Sequence, residues 1–122
     1  MNPITCDQVY LGESPFGKGV FAKRNFLRGE IVETGIMTVM KNVCGVENPH
    51  LFTWSDDKKT WAAGSGFLPF YNHADENEAN IKKAGNLQND TMVIYALRDI
   101  KKDEELRNTY HSKKWRKCFQ SF

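Results

Sequence analysis

The sequence predicts a mainly β domain with little helix, and three observations carry that prediction. Apolar residues fall in short runs of strand length, of which Met92-Val93-Ile94-Tyr95-Ala96-Leu97 is the clearest and the best suited to burial. Clusters of turn-forming residues separate the runs. No segment sustains the apolar period of an amphipathic helix, and no internal repeat is visible.

Taken in order, Val9-Tyr10-Leu11 and Gly19-Val20-Phe21-Ala22 read as two strands around a turn that holds Ser14-Pro15 and Gly17. Leu27-Arg28-Gly29-Glu30 is a second turn, and Ile31-Val32 opens a strand whose sheet Met37-Thr38-Val39-Met40 continues. The polar stretch Ser55 to Lys59 is placed as a short helix capped by Ser55. Strands are expected from Glu78 to Lys83 and from Thr91 to Leu97, with turns at Gly85-Asn86 and Asn89-Asp90.

Composition narrows the function classes. A chain of 122 residues is read as one domain, residues 1–122, with room for one real core. Its net charge of +2 disfavours non-specific nucleic-acid binding, although Lys113, Lys114, Arg116 and Lys117 make a local basic tail, either solvated or in contact with an anionic partner. Cys6, Cys44 and Cys118 are widely spaced and odd in number, which argues against both a zinc site and a disulfide framework. No signal peptide or membrane-spanning run is apparent, so the expectation is a soluble intracellular protein, cytoplasmic or in a host nucleus, and not secreted. The aromatic residues Phe52, Trp54, Trp61 and Phe67 look exposed and suggest a homodimer.

Each candidate site residue carries two readings. Gly17-Lys18-Gly19 is either a hairpin bend or a turn whose backbone N–H groups approach a ligand. Asn72 and His73 are either a core pair satisfied by backbone or ligand-binding groups. Tyr110 is an aromatic plug or a functional phenol, and Trp115 is core packing or a stacking surface.

The order of these segments decides between the readings. Gly17-Lys18-Gly19, then Phe70-Tyr71-Asn72-His73, then Glu104-Glu105-Leu106-Arg107-Asn108-Thr109-Tyr110, together with the strand and turn from Ile94 to Leu106, resembles the SET-domain protein lysine methyltransferases. The resemblance runs from about Val9 to about Trp115, and the chain looks like the small stand-alone, virus-type members, without their relatives' zinc-binding cysteines. Ala74 fills a position that is small or cysteine in the family, Glu78-Ala79-Asn80 replaces a Pro-Asn, and Asp103 stands where glycine is usual. Asn108 takes a place beside the substrate channel where relatives often carry an aromatic.

The resemblance implies a SET fold of short β-sheets with a threaded, pseudoknot-like C-terminal segment. It also implies methyl transfer from S-adenosylmethionine to a lysine ε-amine of a protein, a histone tail or another. Tyr110 is then the catalytic residue, and Gly17, Lys18, Gly19, Asn72, His73 and Trp115 bind the cofactor. Asn108 lines the substrate channel; Tyr71 does so too, or belongs to the core. The implied partners are S-adenosylmethionine and a protein bearing the target lysine, without metal, membrane or direct nucleic-acid contact. The alternative function is a catalytically inactive SET-like module that binds a peptide or partner.

Overall fold

The computed structural model describes residues 4–41, 51–55 and 59–110. Among the described residues, nine strands form two sheets. The first hairpin joins β1 (Val9–Ser14) to β2 (Gly17–Ala22), in register from Val9↔Ala22 to Ser14↔Gly17. Its turn is shaped by Gly17, at φ +97°, and by Ser14 Oγ, which accepts from Phe16 N–H and donates to the Gly17 carbonyl. After the turn at Leu27–Glu30, whose Gly29 has φ +87°, β3 (Ile31–Met40) runs as one long strand. The remaining strands are β4 (Leu51–Thr53), β5 (Trp61–Gly64), β6 (Asn72–His73), β7 (Ile81–Asn86), β8 (Thr91–Ala96) and β9 (Glu105–Asn108), and one 3-10 turn covers Leu68–Phe70.

The five-stranded sheet has the order β4-β5-β3-β8-β7, all antiparallel. The four-stranded sheet has the order β1-β2-β9-β6, and its β6–β9 pair is parallel. Val9, Val20, Phe26, Ile81, Ile94, Ile100 and Leu106 are among the fully buried side chains that knit the strands into one core cluster. A bulge at the start of β3 moves the register from Ile31↔Tyr95 to Glu33↔Ile94. Strand alternation is interrupted there, so the adjacent Val32 and Glu33 are both buried.

The mainly β prediction agrees with this architecture, and four finer expectations change. The strand placed at Glu78–Lys83 begins at Ile81, because Glu78 and Ala79 N–H groups donate to Asp75 O in a turn. Gly85-Asn86 is not a bend. Gly85 lies within β7 under the Trp54 indole, where a Cβ would sit 3.0 Å from the ring, and the chain reverses instead at residues 87–90. The sequence places no strand at β4, β5 or β9. Finally, Trp54 and Trp61 are buried, and Phe52 and Phe67 pack against the core. Those aromatics are spent inside the fold, so the surface argument for a homodimer falls away. The helix placed at Ser55–Lys59 falls on residues 56–58, and the basic tail on residues 113–117, both outside the described residues; Ser55 Oγ accepts from Thr60 N–H. Among the described residues no helix is long and apolar enough to cross a membrane, which says nothing about strands.

Candidate active site

Tyr110 is held at two points. Its hydroxyl donates to the Tyr71 carbonyl at 2.5 Å, and its backbone N–H donates to His73 Nδ1 at 3.0 Å. A ring nitrogen that accepts is unprotonated, so in the neutral imidazole the proton sits on Nε2, which faces Asp75 Oδ1 at 3.4 Å. The His73 and Tyr110 rings are 5.2 Å apart, tilted by 58°. The parallel β6–β9 pairing creates this arrangement, with Asn72 opposite Arg107 and His73 opposite Asn108. It is extended by Ala74 N–H to Asn108 O, Thr109 Oγ1 to Ala74 O and Arg107 Nε to His73 O.

Asn72 serves a different purpose. Its amide nitrogen donates to the Lys18 carbonyl and to Glu105 Oε2, with Ser14 Oγ at 3.3 Å. The two glycines of the 17–19 turn are there for different reasons. Gly17 needs its positive φ, and a Cβ there would meet nothing within 4 Å. Gly19 is buried, and a Cβ there would lie 2.4 Å from Glu105 Oε2 and 2.8 Å from Asn72 Nδ2. Thus Gly19 makes room for protein side chains, and the open face of the turn is at Gly17. The Lys18 side chain is paired with Glu13.

The structure therefore joins Gly17, Lys18, Gly19 and Asn72 in one cluster and His73 and Tyr110 in the next, along β6. Trp115 lies outside the described residues. Tyr71 splits into two parts: its ring is in the core with the hydroxyl donating to Glu33 Oε1 at 2.5 Å, while its carbonyl reaches Tyr110. Asn108 is 5% exposed; its Nδ2 donates to Thr109 O, and its Oδ1 is buried with no hydrogen-bond partner.

Several contributors escaped the sequence reading. Asn80 is 2% exposed and ties the 74–80 loop to β9. Its Nδ2 donates to Glu104 Oε2 and Glu105 O, and its Oδ1 accepts from Arg107 N–H. Glu33 is a buried acid that accepts from Tyr71 OH and Phe67 N–H. Burial pushes its carboxyl above the usual range, against the opposing hydrogen bonds and the Lys83 charge. Burial and the Glu33 charge push the Tyr71 phenol well up. For Glu104, burial acts upward but is outweighed by hydrogen bonds from Asn80 and Lys101 N–H and by the Arg98 guanidinium, so its pKa is lowered. Lys83, on β7, places its ammonium 4.4 Å from the Phe52 ring centre and 5.7 Å from that of Tyr110. The signal for Asn80 was its place in the altered Pro-Asn; Glu33 had none, because only the bulge turns it inward.

Residues 17–111, well over half of the chain, match the family model described as SET domain. Among solved structures, the chain is similar to a candidate histone methyltransferase of Plasmodium falciparum, at 25% identity and a TM-score of 0.67, over 84% of this chain and 92% of that one. It is also similar to a humanized mutant of the Chaetomium thermophilum Polycomb Repressive Complex 2 bound to an inhibitor, at 26% identity and a TM-score of 0.71, over 88% of this chain. The same complex in an autoinhibited conformation bound to S-adenosylmethionine matches at 23% identity and a TM-score of 0.70, over 88% of this chain. The chain spans only 15% and 16% of those two Polycomb chains. No curated protein matches.

Proposed function

Since this chain belongs to the SET-domain family, we propose that it is an S-adenosylmethionine-dependent protein-lysine methyltransferase with Tyr110 as its catalytic residue. The observation that carries the reading is the double anchorage of Tyr110, by its hydroxyl on Tyr71 O and its N–H on His73 Nδ1.

The residues present suit the cofactor's chemistry. The turn has an open face at Gly17, and the Glu105 carboxylate, which lies against Gly19, complements a cationic donor. Gly17, Lys18, Gly19, Asn72 and His73 would hold the cofactor, Asn72 by fixing the turn and His73 through the β6 backbone. When bound, S-adenosylmethionine supplies a methyl group on a sulfonium whose departure leaves a neutral thioether.

The chain's own part is positioning. A free lysine amine, with a reference pKa of about 10.4, is protonated at neutral pH and has no lone pair to offer. The Tyr110 proton is committed to Tyr71 O, so its oxygen presents lone pairs to the site. Those lone pairs accept an N–H from the incoming amine and aim the nitrogen lone pair at the methyl group. The substrate class is a lysine-bearing protein, histone tails included by analogy with the neighbours.

Calorimetric titration with S-adenosylmethionine on wild type and Tyr110→Phe tests the reading, alongside methyl transfer to lysine peptides. Binding by both proteins with transfer by the wild type alone is expected. Failure of the wild type to bind at millimolar cofactor overturns the enzyme reading in favour of a partner-binding module.

A further inference from the structure

We infer that Glu33 is a positioning residue for the proposed transfer: by gripping the Phe67 N–H and the Tyr71 hydroxyl, it fixes the carbonyl on which the Tyr110 hydroxyl rests. This role depends on the methyltransferase reading above. A single 3-10 turn, Leu68–Phe70, lies between β5 and β6, and Tyr71 follows it directly. The Tyr71 carbonyl accepts from the Tyr110 hydroxyl at 2.5 Å. Whatever sets the orientation of that carbonyl therefore also sets the direction of the Tyr110 lone pairs.

So short a turn holds its own shape weakly. Leu68 N–H donates to Ser65 O at 3.2 Å and Phe70 N–H to Phe67 O at 2.9 Å. Leu68 is buried against Gly35 and Gly64, where added Cβ atoms would lie 2.7 Å and 2.9 Å from its side chain. Apolar packing of this kind carries no direction. Direction comes from Glu33, which holds both ends of the turn with one carboxyl group. Its Oε2 accepts from Phe67 N–H at 2.9 Å, before the turn, and its Oε1 accepts from Tyr71 OH at 2.5 Å, after it.

The surrounding chain is shaped for this side chain. The bulge at the start of β3 turns Glu33 inward, opposite Ile94. Gly66 has φ +55°, and a Cβ there would lie 2.5 Å from Glu33 Oε2, so the Phe67 N–H reaches the acid over a backbone that leaves no room for a side chain. Tyr71 is 1% exposed and Glu33 0%, so neither group can exchange the other for bulk water. Two donors converge on one side chain, and a carboxylate answers both with acceptors. An amide of the same size would set its NH2 group against one of them.

Two variants and two readouts test this role. Tyr71→Phe keeps the ring and the carbonyl and removes only the hydroxyl that Glu33 holds. Combining it with Glu33→Gln leaves no half-paired acid in the core, because the amide oxygen can keep the Phe67 N–H; the double variant serves where the single one does not fold. The first readout is kinetic. With a lysine peptide, kcat is expected to fall roughly tenfold or more, since a misplacement of about 1 Å costs up to about 100-fold, while the calorimetric Kd for S-adenosylmethionine stays within about twofold. The second needs neither cofactor nor turnover: the Cζ NMR signal of Tyr110 in tyrosine-labelled protein, assigned with Tyr110→Phe, moves in both variants. It stays in place in Ile100→Val, which thins the core beside Phe26. An unchanged kcat in a folded variant overturns the inference, as does an unmoved Tyr110 signal. So does an equal loss of cofactor binding, or a signal that moves as far in Ile100→Val, either of which makes Glu33 a structural residue only. A wild type that transfers no methyl group while the Tyr110 signal moves in the variants removes the methyltransferase reading and leaves the anchoring of Tyr110 through Glu33 standing.

Discussion

Replacing Asn80 by alanine removes the side chain that ties the 74–80 loop to β9. Three hydrogen bonds are lost together: one to the Glu104 carboxylate at 3.0 Å, one to the Glu105 carbonyl at 2.8 Å and one from the Arg107 N–H at 2.8 Å. The bond to the carboxylate is worth about 1.5–3 kcal/mol, and each backbone group left without a partner in a buried position costs about 1–3 kcal/mol. Water that enters the gap recovers part of this, so the expected loss is about 4 kcal/mol of a total stability of about 5–15 kcal/mol. For a chain of 122 residues that corresponds to a melting temperature lower by about 15 °C. Urea denaturation with far-ultraviolet circular dichroism gives the free energy directly. The isosteric Asn80→Asp keeps the acceptor for Arg107 N–H but loses both donations and sets a carboxylate against Glu104 Oε2. It is expected to be at least as unstable as alanine near neutral pH and to recover as the acids are protonated. An Asn80→Ala protein within about 1 kcal/mol of wild type would refute the reasoning, since one ordinary hydrogen bond already accounts for that much.

Three further outcomes are expected. Gly19→Ala brings a methyl group to 2.4 Å from Glu105 Oε2 and 2.8 Å from Asn72 Nδ2, and because Asn72 is pinned to the turn the protein should lose about 1–3 kcal/mol in urea melts, with weaker S-adenosylmethionine binding by calorimetry. The raised pKa of Glu33 means that its contribution is greatest below the unfolded glutamate value and is lost as pH rises through the native one; Glu33→Gln should flatten that part of the stability profile, measured as urea midpoints across pH. Glu104 has the opposite sign. Its lowered pKa gives stability above the unfolded value that disappears as pH falls through the native value, so Glu104→Gln should blunt the acid limb of the same profile.

Local chemistry was legible in the sequence, and long-range pairing was not. The first hairpin, the Leu27–Glu30 turn and the Met92 run could be read because turn residues and strand-length apolar runs are local signals. Asp103, placed where glycine is usual, has φ 70°, a left-handed conformation that aspartate tolerates better than most residues. By contrast, Gly85 resembled a bend because nothing local announces that Trp54 will cover it. Strand β6 is two residues long and owes its existence to β9. Ordered motifs named Asn72, His73 and Tyr110 as a group, but the division of labour among them needed three dimensions. Asn72 braces the turn, and His73 receives the Tyr110 N–H. Glu33 was invisible because a single bulge reverses which strand residues point inward.

The placement of β9 between β2 and β6 also governs when the site comes into being. Its neighbours are distant from it and from each other in the chain, with Val20 facing Leu106 and Asn72 facing Arg107. Contacts of such sequence separation are slow to form, because loop closure must be met before any contact rewards it. The β1–β2 and β7–β8 hairpins are local and can form early, whereas β9 is the last of the nine to be synthesised. A nascent chain can thus hold most of its strands while the surface reserved for β9 stays open, a state prone to association with other chains. Tyr110 gains its two anchors only at the closing step, so the proposed site and the β6–β9 pairing arrive as one event.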